Sequence, residues 1–395
     1  MDTYWRGAGR RLYDWLLQLD KLLTLRGLAA LSVVIYHVQN YLRPNVEDGA
    51  VSIGGVDFSW LFLPDGTMPV VIFFTLSGYL MFKAFVFRRY DATLEGVARY
   101  AKSRAKRLLP LYYFIAFVLL ILIAPKLFIS PEGLATLRDV IVFDYNGSPD
   151  FVSPFWSLSV EVKFYVLVPI IFLLLRKYMN STLRKLIFLV VVVGAASLLR
   201  YTATQEPAHT SSWMLFATSI DAFLIGGAGA YVFRIIQGKE ISEKLRRFLL
   251  LSSVIVGLGL LPFSALYGHE LRQFGFDVIG VPVIALLTTA CILAAEKASE
   301  YVPFVKRDYS IEEVIRNPSR IFELIGALSY GIYLWHGPIV GQTFVVPVVN
   351  ESSISESLLR SLVAIIISAI LAYLTYRYVE LAGVRKDKRP RLPHE

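Results

Sequence analysis

Residues 22–38 read LLTLRGLAALSVVIYHV, an apolar stretch that contains two ionisable side chains, Arg26 and His37. A helix needs about 20 mainly apolar residues to cross the hydrocarbon core of a bilayer, and the apolar character continues to residue 42. Ionisable residues are costly at this depth and generally face the interior of a helix bundle or a water-filled cavity. The stretch therefore predicts a transmembrane helix with a functional face.

Arg26 and His37 share one face of that helix. They are eleven positions apart, and at about 100° per residue the second side chain returns to within roughly 20° of the first. The separation along the axis is about 16 Å, which places a fixed cation near the start and an imidazole about halfway across. This arrangement predicts a polar pathway for a substrate or a proton. The alternative for His37 is a neutral imidazole that is hydrogen-bonded to a neighbouring helix and serves only packing.

The same pattern of apolar runs recurs along the whole chain. Of 395 residues, 55% are hydrophobic and 18% are charged, and runs of about 20 apolar residues are the length of membrane-spanning helices. The fold class that we expect is all-α, a polytopic membrane protein of about ten transmembrane helices with no soluble domain. The predicted spans lie near residues 22–42, 68–87, 108–128, 155–175, 186–203, 212–236, 248–267, 276–295, 321–346 and 358–380.

The basic residues predict the orientation of these spans. They concentrate in every second connection, and basic connections generally stay in the cytoplasm. Both termini are then cytoplasmic. We divide the chain into an amphipathic N-terminal segment 1–21, a transmembrane domain 22–380 and a basic tail 381–395, and we expect it in the cytoplasmic membrane without a removable signal peptide.

The composition also limits the partners of the chain. The net charge of +9 is distributed as flanks of the predicted spans, so contact with lipid headgroups explains it and nucleic-acid binding is not expected. Cys291 is the single cysteine, which rules out an internal disulfide or a cysteine metal cluster. We expect no metal.

A carboxylate enters the membrane with the fourth predicted span, which contains Trp156-Ser157-Leu158-Ser159-Val160-Glu161-Val162-Lys163-Phe164-Tyr165. If this span enters from the outer side, Glu161 lies about 9 Å inside it. We consider three roles for Glu161: to orient His37, to bind a hydroxyl of a sugar, or to form an ion pair with Lys163 or another cation.

Basic residues precede the third predicted span. Arg104, Lys106 and Arg107 stand before Leu108-Leu109-Pro110. Ordinary cytoplasmic anchoring explains such residues in most membrane proteins. The alternative is that Arg107 and Arg26 together bind phosphate, because guanidinium groups hold phosphate oxygens with paired hydrogen bonds.

Two further segments carry polar groups into predicted spans. In the second span, Ser77-Gly78 is more typical of close helix packing than of a nucleophile. The ninth span contains Ser329 and, further along, Trp335 and His336. Trp335 fits an interfacial aromatic belt. His336 either lines a cavity for an acceptor or anchors the helix.

Together these segments resemble the acyltransferase-3 family of integral membrane acyltransferases, which modify cell-surface polysaccharides, peptidoglycan and some secondary metabolites. Arg26 and His37 match the R-x10-H signature of that family. The other matching blocks, in chain order, are Phe73 to Leu80, Arg104 to Pro110, Trp156 to Tyr165 and Ser329 to His336. The chain departs from the family pattern at Pro69, at Val162 and after Glu380.

The resemblance implies a cytoplasmic acyl-CoA as co-substrate, most often acetyl-CoA, and an acceptor hydroxyl on a glycan at the outer face. Arg26, Arg104 and Arg107 would hold the phosphates of CoA. His37 would take the proton of the hydroxyl or accept the acyl group transiently, and Glu161 would assist it. The polar and aromatic positions that we expect to contact the acceptor are Trp156, Ser157, Tyr165, Ser329 and His336.

Some relatives carry an additional extracytoplasmic domain, which we do not expect in this chain, so a second catalytic step would use a separate extracytoplasmic partner. The main rival to acyl transfer is a proton-coupled transporter or a flippase for lipid-linked sugars. In that case His37 and Glu161 would relay protons, and Arg26 would bind an anionic substrate.

Overall fold

The structure is a computed structural model of the chain. It describes residues 16–17, 19–42, 52–57, 66–122, 130–144, 155–179, 181–205, 211–266, 276–300, 311–341 and 354–380.

Helices dominate these residues. In chain order the α-helices are α1 Lys21–Leu42, α2 Thr67–Val86, α3 Leu94–Leu122, α4 Pro131–Val142, α5 Trp156–Tyr178, α6 Thr182–Gln205, α7 Ser212–Ala217, α8 Ile220–Ile236, α9 Glu243–Leu266, α10 Phe276–Ser299, α11 Ile311–Arg316, α12 Ile321–Gly341 and α13 Ile354–Thr375. A 3₁₀ turn, Pro318–Arg320, precedes α12, and a π-helical turn, Tyr376–Glu380, follows α13.

Eight segments of the described chain are long and apolar enough to cross a membrane. They are α1, α2, α3, α5, α6, α7 together with α8, α10, and α13 together with its π turn. The seventh and ninth predicted spans correspond to α9 and α12, which are helices of 24 and 21 residues outside that group of eight. The all-helical class is confirmed, whereas the count of ten and the cytoplasmic termini stay predictions.

The first helix packs most extensively against α12, and glycines bring the two helices together. A Cβ atom on Gly27 would lie 2.7 Å from the carbonyl oxygen of Phe322, and one on Gly326 would lie 1.9 Å from the carbonyl oxygen of Leu23. Real Cβ atoms do not fit at such distances. Small residues are the usual means of close helix packing in membranes, and here they let the backbones of α1 and α12 touch.

A second glycine crossing joins α2 to α8. A Cβ atom on Gly78 would lie 2.0 Å from the carbonyl oxygen of Phe223, and one on Gly226 would lie 2.0 Å from that of Thr75. The close-packing interpretation of Ser77-Gly78 is therefore correct for the glycine. The serine has a different role, as the site shows.

The buried apolar side chains form two main cores. One lies chiefly among α2, α5, α8 and α10. The other lies chiefly among α1, α3, α12 and α13. The two groups of helices meet where α1 and α12 face α2 and α5, and the polar side chains of interest lie at this seam.

Side-chain contacts give the relative directions of the helices at the seam. Arg26 contacts Ser329 and His37 contacts His336, so α1 and α12 run in the same direction. Trp156 of α5 lies beside Phe74 of α2, and further along the same two helices Phe172 lies beside Phe85, so α2 and α5 are also parallel. When consecutive spans cross a membrane in alternating directions, the first and ninth spans run parallel, and so do the second and fourth. The contacts agree with this order, because α1 and α12 are the first and ninth predicted spans and α2 and α5 are the second and fourth.

The structure differs from the predicted spans in its third and sixth segments. Helix α3 begins at Leu94, well before the predicted start at residue 108, because the basic stretch is itself helical. The span predicted over 212–236 is broken after Ala217, and α8 begins at Ile220. The guanidinium of Arg200 donates to the carbonyl oxygen of Thr218 at this break and also binds the buried carboxylate of Asp221 at 2.8 Å. A cation therefore satisfies backbone polarity that a continuous helix would satisfy internally.

Two predicted connections also contain structure. Residues 129–154 include α4, which starts at the capping residue Ser130 followed by Pro131, a common pair at helix N-termini. Tyr112 of α3 donates to the carbonyl oxygen of Val140 at 2.6 Å and fixes α4 against the bundle. Residues 52–57 form a hairpin whose two central glycines have positive φ, as a tight hairpin turn requires.

Candidate active site

A cavity lies at the seam between the two helix groups. Its empty space, part of which is continuous with the outside, is about 470 Å³. Helices α1, α2, α5 and α12 contribute its walls, so it is enclosed by both groups. The lining residues are Arg26, Val70, Phe73, Phe74, Ser77, Ser157, Leu158, Glu161, Ser329, Tyr330 and Tyr333.

Arg26 places a guanidinium at the wall of this cavity. Its Nε and Nη2 atoms each lie 3.3 Å from the hydroxyl oxygen of Ser329, and the charged group is 5.8 Å from the centre of the Phe73 ring. Within the described residues, Ser329 is its one hydrogen-bond acceptor. Because a guanidinium has five N–H donors, Arg26 retains donors for an anionic group in the cavity.

Glu161 also lines the cavity and is held by two hydroxyl groups. Its Oε1 atom accepts hydrogen bonds from Ser77 at 2.5 Å and from Tyr165. The carboxylate interacts electrostatically with Arg26. Ser77 therefore positions a charged residue of the site.

These contacts separate the cations that could pair with Glu161, because Arg26 interacts with it electrostatically and Lys163 does not. Lys163 instead donates to the carbonyl oxygen of Phe143 at 3.1 Å and to the hydroxyl of Ser159 at 2.7 Å. An ion pair between Glu161 and Lys163 is therefore absent from the described structure. The hydrogen bonds of Glu161 go to Ser77 and Tyr165, and a role of Glu161 in orienting His37 stays a prediction.

A group of charged side chains surrounds Arg26 on the side of α3 and the last helix. Arg104 and Arg107 are close enough for their charges to act on Arg26, and Glu380 interacts with Arg107 and Arg26. Arg104 is half-buried and Arg107 is exposed. Arg26, Arg104 and Arg107, which the family resemblance assigns to the phosphates of CoA, therefore share one electrostatic environment, and Glu380 is an additional carboxylate within it.

The two membrane histidines lie side by side. The ring centres of His37 and His336 are 5.0 Å apart, with an angle of 47° between the planes, and the ring centre of Tyr36 is 5.1 Å from that of His37. His336 is fully buried, and its Nδ1 atom lies 2.5 Å from the carbonyl oxygen of Tyr333. The imidazoles therefore form a pair on the parallel helices α1 and α12.

Tyr333 connects the cavity to this histidine pair. Its hydroxyl lies 2.6 Å from that of Ser157 in the cavity wall, and its ring centre is 5.3 Å from that of His336. The polar groups consequently form one row, from the arginines through Arg26 and the cavity to Tyr333 and the histidines.

The structure thus brings most of the predicted site residues together. Of the five predicted acceptor contacts, Ser157 and Ser329 line the cavity. Tyr165 and His336 adjoin it through Glu161 and Tyr333, and the Trp156 ring packs edge-on against Phe74 at 6.3 Å. Two further residues of the site, Tyr333 and Glu380, were not predicted. The signal for Tyr333 was its position one turn before His336, and the signal for Glu380 was a carboxylate at the end of a predicted span.

This arrangement combines a region that attracts anions with a region that can accept protons. In the described part of the chain, no cluster of histidine, cysteine and carboxylate side chains is suited to hold a metal ion. The chemistry that these side chains offer is binding of a phosphorylated ligand by guanidinium groups, and proton transfer or nucleophilic attack by imidazole.

Comparison with known proteins gives a consistent result. Residues 19–377 match a family model of acyltransferase 3, described as an acyltransferase domain. The chain is 26% identical over 389 residues to the peptidoglycan O-acetyltransferase OatA of Listeria monocytogenes, which covers 92% of this chain and 55% of that protein. It is 25% identical over 378 residues to the putative peptidoglycan O-acetyltransferase YrhL of Bacillus subtilis, with 90% and 53% covered.

A third relative is the O-acetyltransferase OatA of Staphylococcus aureus, 23% identical over 381 residues, with 90% of this chain and 55% of that protein covered. The chain thus spans about half the length of these curated relatives. No solved structure matches it significantly.

Proposed function

The chain belongs to the acyltransferase-3 family, and we propose that it transfers an acyl group, acetyl in the first instance, from cytoplasmic acyl-CoA to a hydroxyl of a cell-surface glycan. The main support for this proposal is the row of polar groups that extends from Arg107 through Arg26 to His37. In such a row, a phosphorylated donor that binds the arginines lies on the same path through the protein as the proton-accepting histidine.

The donor binds at the arginine end. Arg26 has free N–H donors at the cavity wall, and Arg104 and Arg107 add positive charge beside it. The diphosphate and the ribose phosphate of CoA carry the complementary negative charge, and arginine binds phosphate oxygens in pairs. The pantetheine arm is narrow and uncharged, with two amide groups, and it extends along the cavity toward Tyr333 and the histidine pair.

The reaction takes place at the histidine end. The oxygen of the acceptor hydroxyl attacks the thioester carbonyl carbon, the carbon–sulfur bond breaks, CoA leaves as a thiolate, and His37 takes the hydroxyl proton. In the alternative order, His37 attacks the thioester first and passes the acyl group from its nitrogen to the hydroxyl. Both orders release one CoA for each ester formed.

The acceptor is a glycan hydroxyl by analogy with the relatives. Two of them are named for peptidoglycan and all three are named O-acetyltransferases. Ser157, Ser329, Tyr165 and His336 supply the polar groups that would contact the sugar. We propose that the acceptor reaches the histidine pair from the outer side of the cytoplasmic membrane.

Binding of the donor tests this proposal. The protein in lipid nanodiscs is titrated with acetyl-CoA, with CoA and with a longer acyl-CoA by calorimetry, beside the Arg26→Ala and Arg99→Ala variants. Arg99 is the matched control, because it is an exposed arginine on α3 that pairs with Asp91. We expect wild-type binding for Arg99→Ala and a loss of tenfold or more for Arg26→Ala, since a charge-assisted hydrogen bond contributes about 1.5–3 kcal/mol.

The outcome distinguishes acyl transfer from transport. Failure of every CoA species to bind the folded wild-type protein would contradict the proposal and favour a transporter. Equal affinity of the wild type and Arg26→Ala for acetyl-CoA would show that CoA does not bind at the seam between the two helix groups.

A further inference from the structure

His336 is the most deeply buried ionisable group beside His37. Its side chain has no accessible surface. Its Nδ1 atom contacts the carbonyl oxygen of Tyr333 at 2.5 Å. A carbonyl oxygen only accepts hydrogen bonds, so Nδ1 carries the proton and donates it. In the neutral ring, the lone pair is then on Nε2.

The Nε2 atom of His336 has no hydrogen-bond partner among the described residues. Buried polar atoms are paired in almost all proteins, and an unpaired one requires an explanation. A histidine kept only as an anchor is already satisfied through Nδ1. The free Nε2 atom therefore indicates a group that arrives from outside the chain and carries a hydrogen-bond donor.

His336 lies where the proposed reaction would bring such a hydrogen-bond donor. Its ring is 5.0 Å from that of His37 and 5.3 Å from that of Tyr333, and Tyr333 lines the cavity. The donor that the reaction brings to this place is the hydroxyl of the acceptor. The carbonyl of Tyr333 fixes the tautomer of His336 in the same way that a carbonyl or a carboxylate fixes a catalytic histidine in many enzymes.

We propose that His336 is a second catalytic residue, whose Nε2 atom accepts the proton of the acceptor hydroxyl while His37 carries the acyl group. This inference rests on the proposed function and selects one of its two orders. In the first step a nitrogen of His37 attacks the thioester carbonyl carbon, the carbon–sulfur bond breaks and CoA leaves. In the second step the hydroxyl oxygen attacks the same carbon, the bond to His37 breaks, and the hydroxyl proton moves to Nε2 of His336.

Two substitutions distinguish the roles of the two ring nitrogens of His336. In His336→Asn the side-chain amide can still donate to the Tyr333 carbonyl, as Nδ1 does, but nothing replaces Nε2. In His336→Ala both functions are lost, and a space the size of an imidazole remains. Acetyl transfer from acetyl-CoA to chitopentaose, an oligomer of N-acetylglucosamine, is measured by mass spectrometry for the protein in nanodiscs, together with the melting temperature.

We expect His336→Asn to melt like the wild type, to bind acetyl-CoA normally and to lose acetyl transfer by a hundredfold or more, in line with the usual contribution of a general base. We expect added imidazoles to restore transfer to His336→Ala, at rates that rise with the basicity of the added imidazole. A histidine with a purely structural role would show no such dependence on basicity.

The outcomes are distinct from those that test the proposed function. Wild-type transfer by a folded His336→Asn protein would overturn the role of His336 and leave the proposed function intact. A rescue that is independent of basicity would also overturn it. A wild-type protein that transfers no acetyl group would overturn both.

Discussion

At the scale of single residues, the site depends on side chains that hold one another in place across helix boundaries. Glu161 is held by hydroxyls from α2 and from its own helix, and Arg26 is held by a hydroxyl from α12. The identities of Arg26, His37 and Glu161 could be predicted, because ionisable residues in apolar segments are conspicuous. Ser77, which binds Glu161, and Tyr333, which contacts Ser157 and His336, could not be predicted. Spacing along one helix reveals a shared face but not the residue that faces it on another helix.

The carboxylate of Glu161 provides a prediction at this scale. In Glu161→Ala the hydroxyls of Ser77 and Tyr165 lose their acceptor inside the bundle, and each buried unpaired group costs about 1–3 kcal/mol. We expect a lower melting temperature in detergent for Glu161→Ala and a much smaller change for Glu161→Gln, which keeps an acceptor oxygen. The control is Glu312→Ala, which removes an exposed carboxylate on α11. Equal melting of Glu161→Ala and Glu312→Ala would show that the two hydroxyls do not depend on Glu161.

At the scale of elements, glycine contacts determine which helices become neighbours. The sequence indicated the helices through their apolar length, and it indicated close packing at Gly78. It gave no partner for Gly78, because a small residue is compatible with any close neighbour. The break between α7 and α8 was also missed, since the apolar run is continuous and Arg200, which satisfies the freed carbonyl of Thr218, is distant in sequence.

Two glycine substitutions test this explanation of packing. In Gly78→Ala the new Cβ atom meets the Phe223 carbonyl oxygen at 2.0 Å, so α2 and α8 must separate. In the matched control Gly194→Ala on α6, nothing lies within 4 Å of the new atom. Overpacking generally costs about 1–3 kcal/mol, so we expect Gly78→Ala to lower the melting temperature and the yield of monodisperse protein. Gly194→Ala should behave like the wild type, and a similar loss in both variants would contradict the packing role of Gly78.

At the scale of the whole molecule, the candidate site lies between two groups of helices that have separate apolar cores. Helices α1 and α12 of one group face α2 and α5 of the other. The resemblance to a family indicated the membrane class and the order of the motifs, but the seam depends on how the helices assemble and has no local sequence signal. A site at a seam can change its width by a small relative movement of the two groups, which suits a donor and an acceptor that enter from opposite sides.

The orientation across the membrane can be tested with cysteine labelling. The chain has one cysteine, Cys291, which is buried, so Cys291→Ala gives a simple background. Ala101 on α3 and Ala135 on α4 are both exposed, and the predicted topology places them on opposite sides. We expect a membrane-impermeant maleimide to label Ala135→Cys in intact cells and Ala101→Cys only after permeabilisation. The reverse pattern, or labelling of both in intact cells, would contradict the proposed entry of acyl-CoA beside Arg104 and Arg107.

We infer that His37 transfers an acyl group from acyl-CoA, and acetyl transfer to chitopentaose by the protein in nanodiscs measures this step. The variants are His37→Ala and the control Asn40→Ala, an exposed position on the same helix. We predict one CoA released for each ester formed by the wild type and by Asn40→Ala, and a loss of at least about a hundredfold for His37→Ala, the usual contribution of such a group. Wild-type transfer by a folded His37→Ala protein, or no transfer by the wild type, would contradict the claim.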